Sequence, residues 1–215
     1  HEKDELYSYA AIEQLIEKYL VRNRATKEIY ETPQIRYMVA SATVFHKEEP
    51  NNARMRYIKE YYNCASDGLF TLATPVLAGL GTPTKQFSSC VLVECGDSLN
   101  SIIATTGSIV KYVSQKAGIG IGGGRLRAAK SPVRSGDATS EGLIPYYRLF
   151  QSAVKSCSQG GVRGGSATLF YPIWHFEVED LLVLKNNKGV ETNRVRQIDY
   201  GVQFNKVMYE RLLSG

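Results

Sequence analysis

Long apolar runs, paired cysteines and clustered histidines are all missing from this sequence, and each absence removes a class of protein. No stretch approaches the ~18 continuous apolar residues that a membrane helix needs, so no membrane partner is expected. The first residues, HEKDELYSYA, lack both the basic start and the apolar stretch of a secretory signal, which argues against export and for a cytoplasmic location. Four cysteines (Cys64, Cys90, Cys95, Cys157) are too few for a disulfide scaffold in 215 residues, and they make no CxxC pair. His1, His46 and His175 stand alone, without HExxH or Cys/His spacing, so no metal site is expected. There is no nucleophile elbow, internal repeat or low-complexity segment. Net charge is only +5, and basic residues are scattered among acidic ones except across 125–134. That argues against direct nucleic-acid binding and for a local anion site.

What is present is an ordinary globular composition, 43% hydrophobic and 22% charged, arranged in two styles. The first third reads as a helical packing layer. Leu6, Tyr9, Ile12, Ile16 and Tyr19 recur at helical steps. A second helix is expected over about 33–45, with Thr32 as its cap and Pro33 in its first turn, and a third over about 52–65, with Met55, Ile58 and Tyr62 on one side. After Leu72 the segment LATPVLAGLGTPTKQ brings Pro75, Gly79, Gly81 and Pro83 in quick succession, a loop signature. The boundary is placed there, giving a helical region 1–72 and a second region 73–215.

In the second region a short apolar run, a loop and an amphipathic helix recur, the pattern of parallel strands joined by crossover helices. The run over 88–93 leads to a helix capped by Ser98, with Leu99, Ile102, Ile103, Ile109, Val110 and Val113 expected inward, ended at Gly118. The run over 119–121 leads, past a basic loop, to a helix that Ser140 can cap, through Ile144, Tyr147, Phe150 and Val154. A third run over 167–173 precedes a helix with Val178, Leu181, Leu182 and Leu184, stopped at Asn187 and Gly189, and a fourth over 198–204 leads to a helix around 206–213. The class is therefore α/β, as an open sheet or an incomplete barrel.

Glycine is concentrated in two places, both read as loops: Gly118, Gly120, Gly122, Gly123 and Gly124, and then Gly160, Gly161, Gly164 and Gly165. Glycines alone read as flexible turns. Backbone N–H groups freed by glycine and set beside guanidinium groups bind phosphate oxygens, however, and Arg125, Arg127 and Arg134 follow the first cluster while Arg163 lies in the second. Nucleotide binding is the favoured reading. Gly118, Gly120 and Gly123 formally spell GxGxxG, which would make the chain a dinucleotide-dependent oxidoreductase. That motif needs a strand before it and an amphipathic helix after it, whereas SIVKYVSQKA before it is helical and RLRAAKSPVRSGD after it is polar. Cys90 and Cys95 are five apart, so on a regular strand they point to opposite faces and share neither metal nor disulfide. By itself, a cysteine in an apolar run such as Cys90 reads as a small buried side chain.

QFSSCVLVECGDSLNSI, SQKAGIGIGGGRLRA, KSCSQGGVRGGSATLFYPIWH and LLVLKNNKGVETNRVRQIDYGVQFNK resemble the large subunit of class I ribonucleoside-diphosphate reductases, of the enterobacterial and T-even-phage type, and the resemblance runs over essentially the whole chain. It implies a helical N-terminal layer followed by the first half of a ten-stranded α/β barrel. It implies an enzyme that removes the ribose 2′-hydroxyl by thiyl-radical chemistry with oxidation of a dithiol, for DNA synthesis. By resemblance Cys90 is one of the two reducing cysteines of a redox-active disulfide, its partner matching none of the other three. Thr74, Ser89, Cys90 and Gly118 belong to the substrate pocket. Asp97 and Leu99 receive the base and sugar of an allosteric deoxynucleoside triphosphate or ATP, with Arg127 and Arg134 at its phosphates. The segment from Gly122 to about Ala138 is a first specificity loop; Ser158, Gln159 and Arg163 belong to a second.

The resemblance also implies partners: the remainder of the large subunit, a second large subunit held through the helices from Ser98 and Ser140, and a metal-containing small subunit that generates the radical. Electrons come from thioredoxin or glutaredoxin, and no cofactor is bound by this chain. Gly122 stands where many relatives have asparagine. The family's ATP cone, thiyl loop and CxxC tail are not found in the sequence, so this polypeptide is expected to be inactive by itself. A different reading, that of a nucleotide-binding or interaction module without chemistry, keeps the same motifs.

Overall fold

The computed structural model describes residues 1–23, 25–157 and 164–215. They form two compact units, His1–Ser89 and Cys90–Gly215.

In the first unit, short polar side chains decide where helices start. Ser8 Oγ accepts the Ala11 N–H and opens α1 (Tyr9–Lys18), after a 3-10 turn at Glu2–Leu6. The periodic set that begins at Leu6 is therefore broken: Leu6 and Tyr9 are exposed, and Leu15 and Leu20 are the buried residues. Helix α2 (Pro33–Val44) has the expected Thr32 cap and Pro33 at its start. In α3 (Asn51–Ser66) Ile58 is buried but Met55 is exposed. The Tyr62 and Ser66 hydroxyls of α3 donate to Gln34 Oε1 of α2 at 2.8 and 2.7 Å. The loop signature after Leu72 contains a further short helix, α4 (Thr74–Gly79), and the first unit continues beyond it to Ser89. Arg36 is 1% exposed and pairs through NH1 with Glu31 Oε1 at 3.0 Å, while its NH2 donates to the Leu80 carbonyl.

The second unit is a parallel sheet with two long helices packed on one face. Its strands are β1 (Cys90–Glu94), β2 (Gly118–Gly122), β5 (Ala167–Pro172) and β6 (Asp199–Gln203), in that spatial order and all parallel. Between β2 and β5 the chain forms a two-stranded antiparallel ribbon, β3 (Pro132–Val133) with β4 (Ala138–Thr139). The helices are α5 (Leu99–Ser114), α6 (Ile144–Ser156), α7 (Val178–Leu182) and α8 (Lys206–Ser214). Side chains alternate across a strand. Ile119, Ile121, Leu169 and Tyr171 face the core with Ile109 and Val113 of α5 and Tyr147, Phe150 and Val154 of α6. Cys90, Leu92 and Glu94 lie on the opposite, exposed face.

Four expectations for this unit need correction. Gly118, Gly120 and Gly122 are strand residues rather than loop, because their cross-strand partners Cys90, Leu92 and Glu94 lie on the same face and Leu92 and Glu94 fill the space a Cβ would take. On α5 only Ile102, Ile109 and Val113 of the expected set are buried; Leu99, Ile103 and Val110 form a separate exposed stripe. Ser140 does not cap α6: its Oγ accepts the Gly142 N–H at 3.1 Å, and the helix starts at Ile144. Helix α7 ends at Leu182, well before Asn187 and Gly189, with Leu184 buried beyond it.

Candidate functional site

Where β1 ends, the chain turns through Cys95, Gly96 and Asp97 into α5. Ser101 Oγ accepts the Gly96 N–H at 2.7 Å and Ser98 Oγ accepts the Ser101 N–H at 3.2 Å, so the first turn of the helix is fixed to the strand that feeds it. Asp97 is thereby held at the positive end of a long helix, facing the basic loop. Its Oδ2 accepts from Arg127 Nε at 2.8 Å and its Oδ1 from the Arg127 backbone N–H at 3.1 Å. Arg127 also donates from NH1 to the Pro132 carbonyl at 2.8 Å, which folds the loop back on itself. Lys130, Arg134 and Ser135 take positive φ in this loop without being glycine, a conformation maintained only where surrounding contacts demand it.

These elements enclose a cavity of about 570 Å³. Asp97, Leu99, Arg127 and Arg134 all line it, with apolar wall from Ile102 and Tyr146. Four residues from two separate stretches of sequence thus meet at one place. Two guanidinium groups, a helix N-terminus and an apolar wall fit a ligand that joins a polyanion to a flat or apolar body.

Cys90 begins β1 on the exposed face, in register with Gly118 of β2. Cys95 is fully buried, and burial pushes its thiol up, though Thr105 and Ser101 hydrogen bonds oppose this. The two cysteines therefore lie on opposite sides of the sheet. Thr74, in the first unit, begins α4 and its Oγ1 lies 3.2 Å from the Tyr19 hydroxyl. Ser89 is the last residue of that unit. Ser158, Gln159 and Arg163 lie outside the described residues. Among the described residues no three His, Cys, Asp or Glu side chains cluster to hold a metal, and no helix is long and apolar enough to cross a membrane. The GxGxxG glycines have a helix before them and no helix directly after β2, so the dinucleotide context is missing.

Sequence reasoning missed His175 and Glu177, which hold the basic loop from the turn after β5. Their signal was positional: residues just past the C-terminal end of a parallel strand are where α/β folds build sites.

Comparison with known proteins agrees with this architecture. Residues 5–85 match the family described as "Ribonucleotide reductase, all-alpha domain" and residues 88–215 match "Ribonucleotide reductase, barrel domain". The "Ribonucleoside-diphosphate reductase subunit alpha" of Buchnera aphidicola subsp. Baizongia pistaciae is 62% identical over 215 residues, covering 100% of this chain and 28% of that protein. The "Ribonucleoside-diphosphate reductase 1 subunit alpha" of Escherichia coli K12 is 61% identical, with the same coverage of 100% and 28%. The enzyme subunit of Enterobacteria phage T4 is 53% identical over 98% of this chain and 28% of its own length. The chain thus spans 28% of the length of these relatives. The solved class Id ribonucleotide reductase alpha subunit of Actinobacillus ureae matches with a TM-score of 0.78 over 97% of this chain and 35% of that one, at 21% identity, a likeness of fold. With a helical layer leading into the start of a parallel-stranded barrel, and with both family descriptions matched in order, the chain belongs to the ribonucleotide reductase large-subunit family.

Proposed function

We propose that this chain forms part of the catalytic large subunit of a ribonucleoside-diphosphate reductase in the cytoplasm, where it supplies one redox cysteine, part of the substrate pocket and the allosteric specificity site. The observation that carries the reading is the cavity lined by Asp97, Leu99, Arg127 and Arg134. Its ligand is a deoxynucleoside triphosphate or ATP, with phosphates at the arginines and sugar and base toward Asp97 and Leu99. Thr74, Ser89, Cys90 and Gly118 serve the ribonucleoside diphosphate, and Ser158, Gln159 and Arg163 belong to the loop that relays effector identity.

Replacing the ribose 2′-hydroxyl by hydrogen, with loss of water, takes two electrons and two protons. A pair of thiols delivers both by closing to a disulfide, and Cys90, exposed on the sheet, gives one of the two. The disulfide is reopened by thioredoxin or glutaredoxin, and the initiating radical comes from the metal-containing small subunit. The exposed stripe of Leu99, Ile103 and Val110 on α5 suits contact with a second large subunit.

The test is deoxynucleotide formation from a labelled ribonucleoside diphosphate, with this chain, the remaining length of the large subunit and the small subunit mixed and each omitted in turn. Activity that needs every component supports the assignment. Tight triphosphate binding with no activity under any complementation would favour an interaction module instead.

A further inference from the structure

The turn after β5 grips the basic loop through backbone atoms. His175 Nδ1 accepts the Glu177 N–H at 3.1 Å. A neutral imidazole has one donor and one acceptor, so the ring hydrogen sits on Nε2, which donates to the Leu126 carbonyl at 3.1 Å. The Glu177 carboxylate accepts two further bonds, both to Oε2 at 3.2 Å: one from the Ala129 N–H and one from the Leu143 N–H. Leu126 and Ala129 flank Arg127 in the chain, and Leu143 is the residue at which the far end of the same loop enters α6. Both ends of the loop are therefore tied to one turn. Gly142 fits this arrangement on two counts. Its φ is +87°, a backbone conformation L side chains rarely adopt, and a Cβ there would strike the Glu177 carboxylate.

We propose that His175 and Glu177 are positioning residues for the triphosphate site, holding the basic loop so that Arg127 meets the ligand's phosphates in one geometry. Neither side chain lines the cavity; both act through the backbone on either side of Arg127. The inference rests on the nucleotide reading of that cavity. Charge-assisted bonds from backbone N–H groups to a carboxylate are among the stronger ones a loop can have, so losing them lets the loop sample geometries that no longer present Arg127.

The experiment titrates dTTP, and separately inorganic tripolyphosphate, into the full chain by calorimetry. Glu177→Ala is expected to weaken both probes at least about tenfold, because two charge-assisted bonds to the loop are lost. Glu177→Gln retains a neutral amide oxygen as acceptor and should bind between the Ala variant and the unsubstituted chain. Equal affinity for Glu177→Ala and the unsubstituted chain, or a Gln variant as weak as the Ala variant, overturns the positioning role. Failure of the unsubstituted chain to bind either probe overturns the nucleotide reading itself, and the two failures are thus told apart. Should Glu177→Ala not fold, amide exchange on the unsubstituted chain decides: dTTP should slow exchange at Ala129 and Leu143, and exchange unchanged at saturating dTTP refutes the clamp.

Discussion

Arg127 holds Asp97 by both carboxylate oxygens, with its side-chain Nε on one and its own backbone N–H on the other, so the side chain and the loop that carries it are fixed by a single partner. Removing the guanidinium costs the ligand a cation and frees the loop from Pro132. Arg127→Ala and Arg134→Ala should each weaken deoxynucleoside triphosphate binding by roughly 1.5–3 kcal/mol, the scale of a charge-assisted hydrogen bond. Calorimetry checks the figure, and unchanged affinity in both variants would move the site elsewhere.

The two cysteines of the first strand region should separate cleanly by chemistry. Cys90 is exposed and Cys95 is not, so a thiol reagent added to the native chain should label Cys90 well before Cys95. In complemented enzyme, Cys90→Ser should fold and fail to turn over repeatedly, whereas Cys95→Ser should lower stability by about 1–2 kcal/mol and leave turnover in place. Sustained turnover by Cys90→Ser would return that residue to a packing role.

Alkaline conditions should unfold the second unit through its buried phenols. Burial is the leading cause that raises the Tyr147 and Tyr200 hydroxyls above the usual tyrosine value, and at Tyr147 the neighbouring Tyr171 adds to it. A group raised in the folded state holds its proton more tightly there than when unfolded. Its contribution is fully present below the unfolded value, about 10 for tyrosine, and is lost as pH rises beyond it. Tyr147 is fully buried and its hydroxyl has no hydrogen-bond partner among the described residues, so Tyr147→Phe should be neutral or stabilising at pH 7. Melting curves across pH 8–11 should show a shallower alkaline decline in the variant; an identical decline would mean that other groups dominate.

Self-association should run through the outer stripe of α5. Ile103 is exposed in the single chain, and in a two-fold contact one substitution alters both sides at once. Ile103→Glu should weaken the dimer by at least about tenfold, since a buried aliphatic side chain contributes about 1.5–3 kcal/mol. Sedimentation velocity with and without dTTP reads this directly, and a monomeric unsubstituted chain under every condition would remove the proposed interface.

Local signals were legible and distant ones were not. Thr32 and Ser98 cap their helices as their positions alone predict, because a cap acts on an N–H only a few residues ahead. Ser140 has the same local credentials, yet the turn before α6 is satisfied by Glu177, far away in sequence, and the helix starts later. The periodicity of α5 gave a helix but could not tell its buried stripe from its exposed one, since both are aliphatic. Arg125, Arg127 and Arg134 stand out in the sequence beside their glycines, with the choice of Arg127 and Arg134 for the phosphates resting on resemblance, while His175 and Glu177 act only through backbone contacts that no spacing rule announces.

The glycines of β2 and β6 do more than extend strands. Leu92 lies across Gly120, Glu94 across Gly122 and Phe170 across Gly201, each side chain occupying the space that its neighbour's missing methyl leaves open. Each pair is therefore one packing unit across two strands, and substitutions at its two positions should be energetically coupled. A side chain at 122 would meet the Glu94 carboxylate, so Glu94, which pairs with Arg125, would have to shift. For anyone redesigning this face, Gly201→Ala introduced alone should be costly, because its Cβ meets the Phe170 ring, and should cost less in a Phe170→Ala background. The departure from additivity measures how strongly the two strands depend on an atom that is not there.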